Sequence, residues 1–275
     1  TEVLEFLAER PIHTVAMAGF IRANGLVSEH HRGTFYACRN DQGQLEGVAL
    51  IGHSTLIETR TDRALQAFAN LAKTCITTHL IMGEEQRVAE FLKYYSDGGQ
   101  QLRHACREVL FELRWPMQLR NEISGLRLGT LEDLELILPV HAQMAFDESG
   151  VNPMEKDPLG FQQRCARRLQ QNRTYVWIES GKLIFKADII SETPEAIYLE
   201  GVWISPAKSG KGYALRCVSQ LARTLLTRTQ SICLLTNIEN KKAQKFYRKL
   251  GFKVRGIYDS IFLKPSSTEV TASTH

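Results

Sequence analysis

The sequence predicts a mixed α/β (α+β) chain laid out as two similar halves in tandem. Three observations carry this. Apolar periodicity switches repeatedly between about 2, as in strands, and about 3.6, as in helices. The order of segments in the first half recurs in the second, with Thr34-Phe-Tyr-Ala-Cys and Thr174-Tyr-Val-Trp-Ile as equivalent starts. The stretch from Tyr198 to Ala222 reads as strand, glycine-bearing turn and helix.

Residues 1–26 are expected to be helical, interrupted near Pro11 and ended by Gly25, with apolar stripes Leu4/Leu7/Ala8 and Val15/Ala18/Ile21. His13, His30 and His31 have no carboxylate or cysteine at ligand spacing and are read as surface histidines, so no metal is expected. Thr34–Arg39 and Gln44–Ile51 flank Asn40-Asp-Gln-Gly43, a hairpin signal. A short strand at Leu56–Thr59 leads to a helix capped by Asp62 and carrying Leu65, Phe68 and Ala72. A strand at His79–Met82, a helix at Glu84–Tyr95 and a strand at Glu108–Leu113 complete the half. The connector Arg114–Gly125 holds Trp115, Met117, Leu119 and Ile123, unlike a flexible Gly/Ser linker, so the halves are expected to form one rigid body.

The second half opens with a strand at Leu126 and a helix from near Leu131, carrying on to His141 despite Pro139. A loop at Asp147–Pro153 precedes a helix at Phe161–Gln170. Its Arg164, Arg167 and Arg168 are a solvated face or a site for an acidic substrate. Thr174–Glu179 and Lys182–Ile190 flank Ser180-Gly181, and the strand Tyr198–Ile204 follows. A helix from Gly212, with Leu215, Val218, Ala222 and Leu225 on one stripe, leads to a strand at Ser231–Thr236. Asn240 caps a last helix that Gly251 ends, its buried stripe being Ala243, Phe246 and Leu250. Phe252–Arg255 and Ser260–Leu263 read as a strand pair, and the Ser/Thr-rich tail as disordered.

A turn with two glycines at a helix start is an anion site: the first helical N–H groups lack internal partners, and the dipole adds positive charge. Gly210 and Gly212 let a diphosphate approach, and Lys208 and Lys211 add charge. This turn, Ser209-x-x-Gly212-x-Ala214, and the helix Asn240-x-x-Ala243-x-x-x-Tyr247-x-x-x-Gly251-Phe252 together resemble the GNAT acetyltransferase superfamily. The helix matches throughout. The turn departs at Ser209, where the family has a longer hydrogen-bonding side chain. The resemblance implies a mixed, mostly antiparallel sheet flanked by helices. It divides the chain into a degenerate GNAT-like domain at 1–122, a catalytic domain at 123–265 and a tail at 266–275.

The same resemblance implies acetyl-CoA as co-substrate. Val202, Trp203 and Ile204 would hold the pantetheine and polarise the thioester carbonyl. Ser209 to Ala214, Tyr213 included, would hold the pyrophosphate beside Lys208. Asn240 and Ala243 would sit near the CoA arm, and Tyr247 near the sulfur as general acid. Glu200, two residues before Val202, is the expected general base, with His141, Glu148 or a water chain as alternatives. At the matching turn the first half has Thr59-Arg-Thr-Asp62-Arg63, with no glycine and an acid where a pyrophosphate belongs. That half is expected to be structural or to shape an acceptor site.

The chain has 275 residues, 43% hydrophobic and 23% charged, and a net charge of +4, too mild to argue for nucleic acid. The apolar run Val15–Ile21 is too short to cross a bilayer, and no targeting segment is expected; Thr1 in place of Met is read as a trimmed start. Six scattered cysteines fit a reduced, cytoplasmic setting, with Cys217 and Cys233 in the core. Three function classes follow: an N-acetyltransferase acting on a small-molecule or protein amine, a tandem-GNAT aminoacyl transferase, and a non-catalytic acyl-CoA-binding sensor. Neither a nucleic-acid nor a membrane partner is expected for the first, and an oligomer is compatible with it.

Overall fold

The computed structural model describes residues 1–118 and 121–264. The tail assigned to 266–275 and the connector residue Leu119 lie outside them. The first half runs α1 (Glu2–Ala8), α2 (Pro11–Asn24), β1 (Gly33–Arg39), β2 (Leu45–Gly52), β3 (Ser54–Thr59), α3 (Asp62–Ala72), β4 (Leu80–Glu84), α4 (Glu85–Tyr95) and β5 (Leu102–Leu113). The second runs β6 (Leu126–Leu128), α5 (Leu134–Ser149), α6 (Pro153–Lys156), α7 (Pro158–Gln170), β7 (Thr174–Glu179), β8 (Lys182–Glu192), β9 (Ile197–Ile204), α8 (Tyr213–Leu225), β10 (Ile232–Asn237), α9 (Lys241–Lys249) and β11 (Lys253–Leu263).

All described strands join one sheet of eleven, ordered β1-β2-β3-β4-β11-β5-β10-β9-β8-β7-β6. Only β3–β4 and β9–β10 pair in parallel; the other eight pairings are antiparallel. The mixed, mostly antiparallel sheet is therefore present. Its centre holds an exchange. The first half's last strand, β5, pairs with β10 of the second half. The second half's last strand, β11, pairs with β4 of the first. β5 and β11 pair with each other along nearly their whole length, Lys253↔Glu112 to Leu263↔Leu102.

This corrects the expected strand pair at Phe252–Leu263. One eleven-residue strand passes through Gly256, where the register against β5 shifts by a residue. A bulge bends a strand without ending it, so a glycine that reads as a turn here is a kink. β5 likewise begins at Leu102, six residues before the expected start, because β11 gives the polar stretch Leu102–Arg107 a partner. The α3 cap is Thr61, not Asp62: the Thr61 hydroxyl accepts from the Ala64 N–H.

Two clusters fill the sheet's two ends. Leu65, Phe68, Phe91 and Tyr95 pack under the first half, and Phe111, Phe185, Val218 and Leu221 under the second. The first half's α2 reaches across to β8, where the Ser191 hydroxyl donates to the Val15 carbonyl at 2.7 Å. In the connector, Ile123 is buried and Trp115 stands 85% exposed. The three histidines differ from expectation. Only His30 is exposed. His31 is buried and donates from Nε2 to the Gly25 carbonyl at 2.8 Å, and His13 hydrogen-bonds the Tyr258 hydroxyl.

Candidate active site

β9 and β10 pair only at Ile197–Tyr198 with Ile232–Cys233, then separate. Past that point their backbones have no common ladder, and a wedge opens between two parallel strands. β9 also carries a bulge. Lys186 faces Trp203 and Asp188 faces Glu200, so Gly201 and Val202 together face Ala187 alone. Gly201 adopts φ +61°, and a Cβ there would lie 2.7 Å from both Asp188 Oδ2 and Lys186 Nζ. A side chain at 201 is therefore excluded by backbone and by space.

The bulge is held from behind by buried charge. Lys186 Nζ donates to the Gly201 carbonyl at 3.0 Å and to Asp188 Oδ2 at 2.6 Å. The Thr174 hydroxyl donates to Asp188 Oδ1, while His141 Nδ1 and Arg168 Nη1 each stand 3.4 Å from Oδ2. Burial alone would raise the Asp188 carboxyl; Lys186, His141 and Arg168 together hold it well below the ordinary carboxylate range. Fully paired, the network fixes the strand; losing one member would strand a buried charge.

On one side of the wedge lies a cavity of about 410 Å³. Of the residues expected at the cofactor, Val202, Trp203, Ile204, Ser209, Gly210, Gly212, Ala214, Asn240, Ala243 and Tyr247 line it. Gly210 and Gly212 sit at φ +76° and +81°, with no atom within 4 Å of where a Cβ would be, so the loop's outer face is open. Gly212 caps α8, whose first N–H groups point out of the helix. The structure does not bring Lys208, Lys211 or Tyr213 to this cavity. Lys208 pairs with Glu179 at 2.7 Å and lies over the Tyr213 ring, which packs on Trp177, and Lys211 donates to the Ala207 carbonyl. The cationic residues that do line it are Lys242 and Lys249 of α9. They were passed over in the sequence because α9 is lysine-rich on every exposed side.

α9 is rotated from its expected face. Gln244, Tyr247 and Leu250 are buried, while Ala243 and Phe246 are half-buried against the cavity. Asn240 caps the helix, its side chain accepting from the Ala243 N–H at 3.0 Å. The Tyr247 ring is wedged among Phe111, Phe246 and Phe252, and burial pushes its phenol up from the ordinary value.

On the other side lies a second cavity, of about 610 Å³. Val202, Asn240, Ala243 and Tyr247 line both, so the two meet at the bulge and the tyrosine. Glu200, Glu148 and His141, the three residues weighed as base, all line the second. So do His104, Cys106 and Glu108 of β5, which sequence reasoning missed because only the strand exchange carries them there. Glu200 and Glu148 are exposed to the open cavity, but its walls displace much of the water around them. That desolvation raises the Glu200 carboxyl, though Arg168 and Lys186 pull it back. Desolvation, then Glu200 and Glu108, push Glu148 up to about 8. Burial lowers His141 despite the Asp188 contact. A carboxylate raised in this way is poised to take a proton near neutral pH. The α7 arginines are engaged elsewhere: Arg164 with Asp157, Arg167 with the Asn24 side chain, and Arg168 with Asp188.

Residues 186–260 match the family model described as FR47-like protein. A search of curated proteins returns no match. Similar solved structures include a Drosophila protein at TM-score 0.67 and 12% identity, with 97% of each chain covered. A GCN5-related N-acetyltransferase from Sphaerobacter thermophilus aligns at TM-score 0.56 and 13% identity over 93% of this chain and 92% of that one. A tandem GNAT protein from the clavulanic acid biosynthesis pathway aligns at TM-score 0.56 and 11% identity over 97% and 95%. At such identities the likeness is one of fold, and it runs through both halves. The family model across the splayed strands and the full-length structural likeness agree on the fold, and the chain has a GNAT-like fold, present twice in tandem.

Proposed function

We propose that the protein is an acetyl-CoA-dependent N-acetyltransferase that moves an acetyl group directly to a primary amine in a ternary complex, using the second half alone for CoA. The observation that carries this is the meeting of two cavities at Val202, Asn240, Ala243 and Tyr247. One has an open glycine cradle at a helix N-terminus, and the other holds carboxylates raised by the desolvating walls of the cavity. The cradle fits a pyrophosphate: the N–H groups of the first α8 turn are free, and Lys242 and Lys249 supply charge in place of Lys208 and Lys211.

Acetyl-CoA supplies an activated acetyl group, which passes to the amine nitrogen as the carbon–sulfur bond is lost. Glu200, on the acceptor side of the bulge, takes the proton from the amine. The Tyr247 hydroxyl, at the junction of the cavities, gives a proton to the departing sulfur. The bulge at Gly201–Val202, locked by Lys186, frees backbone groups to steady the carbonyl oxygen.

Calorimetric titration with acetyl-CoA, followed by a thiol-release assay over a panel of amines, tests the reading. Stoichiometric binding and amine-dependent thiol release are expected. Binding with no release from any amine would favour a sensor, and no binding would remove the CoA reading altogether.

A further inference from the structure

The larger cavity has a chemical bias of its own. Glu108, Asp147, Glu148 and Glu200 line it together with His104 and His141, and no lysine or arginine is among its described lining residues. Lys186 and Arg168 are both bound to Asp188 behind β9, and Arg103 Nη1 donates to the Ser149 carbonyl at the end of α5. Glu148 and Glu200 make no hydrogen bond among the described residues, and Glu108 has only the Ser260 hydroxyl, at 2.7 Å. The acids come from three elements. Glu108 is on the exchanged strand β5, Glu200 on the bulged strand β9, and Asp147 and Glu148 in the last turn of α5, the negative end of that helix. Left unpaired, these carboxyls repel one another.

Resting on the N-acetyltransferase reading, we propose that the acceptor is a small alkyl amine with at least two cationic centres, a diamine or polyamine, its second cation held by Glu108 and Glu148. Glu200 deals with the reacting amine, which must be neutral to attack. Glu108 and Glu148 then remain without a counter-charge, and a second ammonium provides it. The raised Glu148 carboxyl fits this role, since a bound cation takes the place of its proton. An amino acid would bring its own carboxylate against these acids, and no arginine or lysine is among the cavity's described lining residues to receive it. The first half thus supplies acceptor recognition through β5, although its own turn lacks the glycine cradle.

The test compares putrescine, n-butylamine and glycine as acceptors, with direct calorimetric titration of putrescine into the protein, with and without CoA. Putrescine is expected to bind without turnover and to exceed n-butylamine in kcat/KM by at least about tenfold, the scale of one partly buried charge pair, with glycine poorest. In Glu108→Gln, which keeps a hydrogen-bonding group for Ser260, putrescine KM should rise by a similar factor. Its advantage over n-butylamine should collapse, while n-butylamine kinetics stay close to wild type. In Glu148→Gln the readout is the ratio within the variant: putrescine's advantage over n-butylamine should likewise collapse. Absence of putrescine binding, equal use of n-butylamine or glycine, or an unchanged preference in both variants would overturn the proposal. Putrescine binding without any CoA binding would instead overturn the CoA reading and leave the cation site standing.

Discussion

The molecule contains two wedges of the same kind, and they differ in which side chains stand between their strands. β3 and β4 pair in parallel over Ser54–Leu56 and Leu80–Met82 and then part, as β9 and β10 do. In the first wedge Arg10 enters from the start of α2 and binds Glu58 at 3.2 Å and Glu84 at 2.5 Å. Arg60, from the turn that matches the glycine cradle, also pairs with Glu58, and His13 meets Tyr258 above them. Between the strands a cavity of about 40 Å³ remains, and a second of about 710 Å³, lined by Arg10, Arg60, Glu84 and Arg87, lies against the same charged side chains. The second wedge has no such plug, and cavities of about 410 and 610 Å³ flank it. The splayed pair of strands is therefore a property of the fold. Whether it becomes a site is decided by a few side chains: a crossing arginine and its acids in one half, and glycines and unpaired carboxylates in the other.

The sharpest way to test this contrast is at the tyrosines. Tyr247→Phe keeps the ring among Phe111, Phe246 and Phe252 and removes only the hydroxyl. Where chemistry limits the rate, turnover should fall by about 10²–10⁴-fold with acetyl-CoA affinity nearly unchanged. Tyr258→Phe, in the plugged wedge, should leave turnover at the wild-type level. Single-turnover kinetics with a competent acceptor decide between them, and normal turnover in Tyr247→Phe would reduce Tyr247 to a packing residue.

Next in size is the cradle. Gly212→Asp puts a side chain at φ +81° and a negative charge where the pyrophosphate would sit. Strain of about 1–3 kcal/mol and electrostatic repulsion both oppose the ligand. CoA affinity by calorimetry should drop by at least about 100-fold. The converse change, Asp62→Gly, should add no second CoA site, because Arg10 and Arg60 still fill that wedge.

A smaller effect is expected at the plug itself. Arg10→Met leaves Glu84 without its arginine and Glu58 with only Arg60. Arg10 is one-third exposed, which tempers the loss, and urea unfolding should show about 1–3 kcal/mol of destabilisation. CoA binding in the second half should not change. Full stability in this variant would mean that packing, and not the ion pairs, closes the first wedge.

The smallest effect is a pH slope. The folded Glu148 carboxyl is raised to about 8 from an ordinary 4.5, so between these values the folded state holds a proton that the unfolded chain has lost. Its contribution to stability is therefore present below pH 4.5 and is lost as pH rises towards 8. Glu148→Gln should unfold at a higher temperature than wild type near pH 8, with the gap closing towards pH 5. Other ionisable side chains line the same cavity: His104, Cys106 and Glu108 from β5, Glu200 and Tyr198 from β9, His141 and Asp147 from its own helix, and Tyr247 from α9. The slope is accordingly read as the difference between variant and wild type. An equal gap at both pH values would show that Glu148 is not raised.

What the sequence made legible was local. The glycines at 210 and 212, the Asn240 cap and the Gly251 end each depend on neighbours within one turn, and all stand as read. What it hid was long-range. β5 and β11 find each other across about 150 residues, and nothing in either strand's alternation names its partner. Hence Glu108 at the acceptor cavity could not be seen from its own segment. Two signals were available but not taken up: Lys186 inside the apolar run Leu183–Ile190, and Gly201 in the middle of a strand. A buried lysine needs a partner, and a strand glycine marks a bulge; together they locate the β9 bulge. The rotation of α9 was hidden for another reason. Its half-buried side faces a cavity, where alanine and phenylalanine serve as well as they would in a core.

The strand exchange also sets a timetable for assembly. β4 of the first half has β11 as its neighbour, and β11 ends at residue 263 of the 275. While the chain is being synthesised, β4 and β5 must wait with bare edges until β11, made about 150 residues after β5, has left the ribosome. The first half can collapse around Leu65, Phe68 and Phe91 in that interval, but its sheet cannot close. Such sequence-distant pairings close late and slowly, and leave exposed edges open to mispairing. β11 completes the first half's sheet, and by seating β5 between itself and β10 it brings Glu108 to the second half's cavity. The finished site is in this sense a report that β11 has been made and seated.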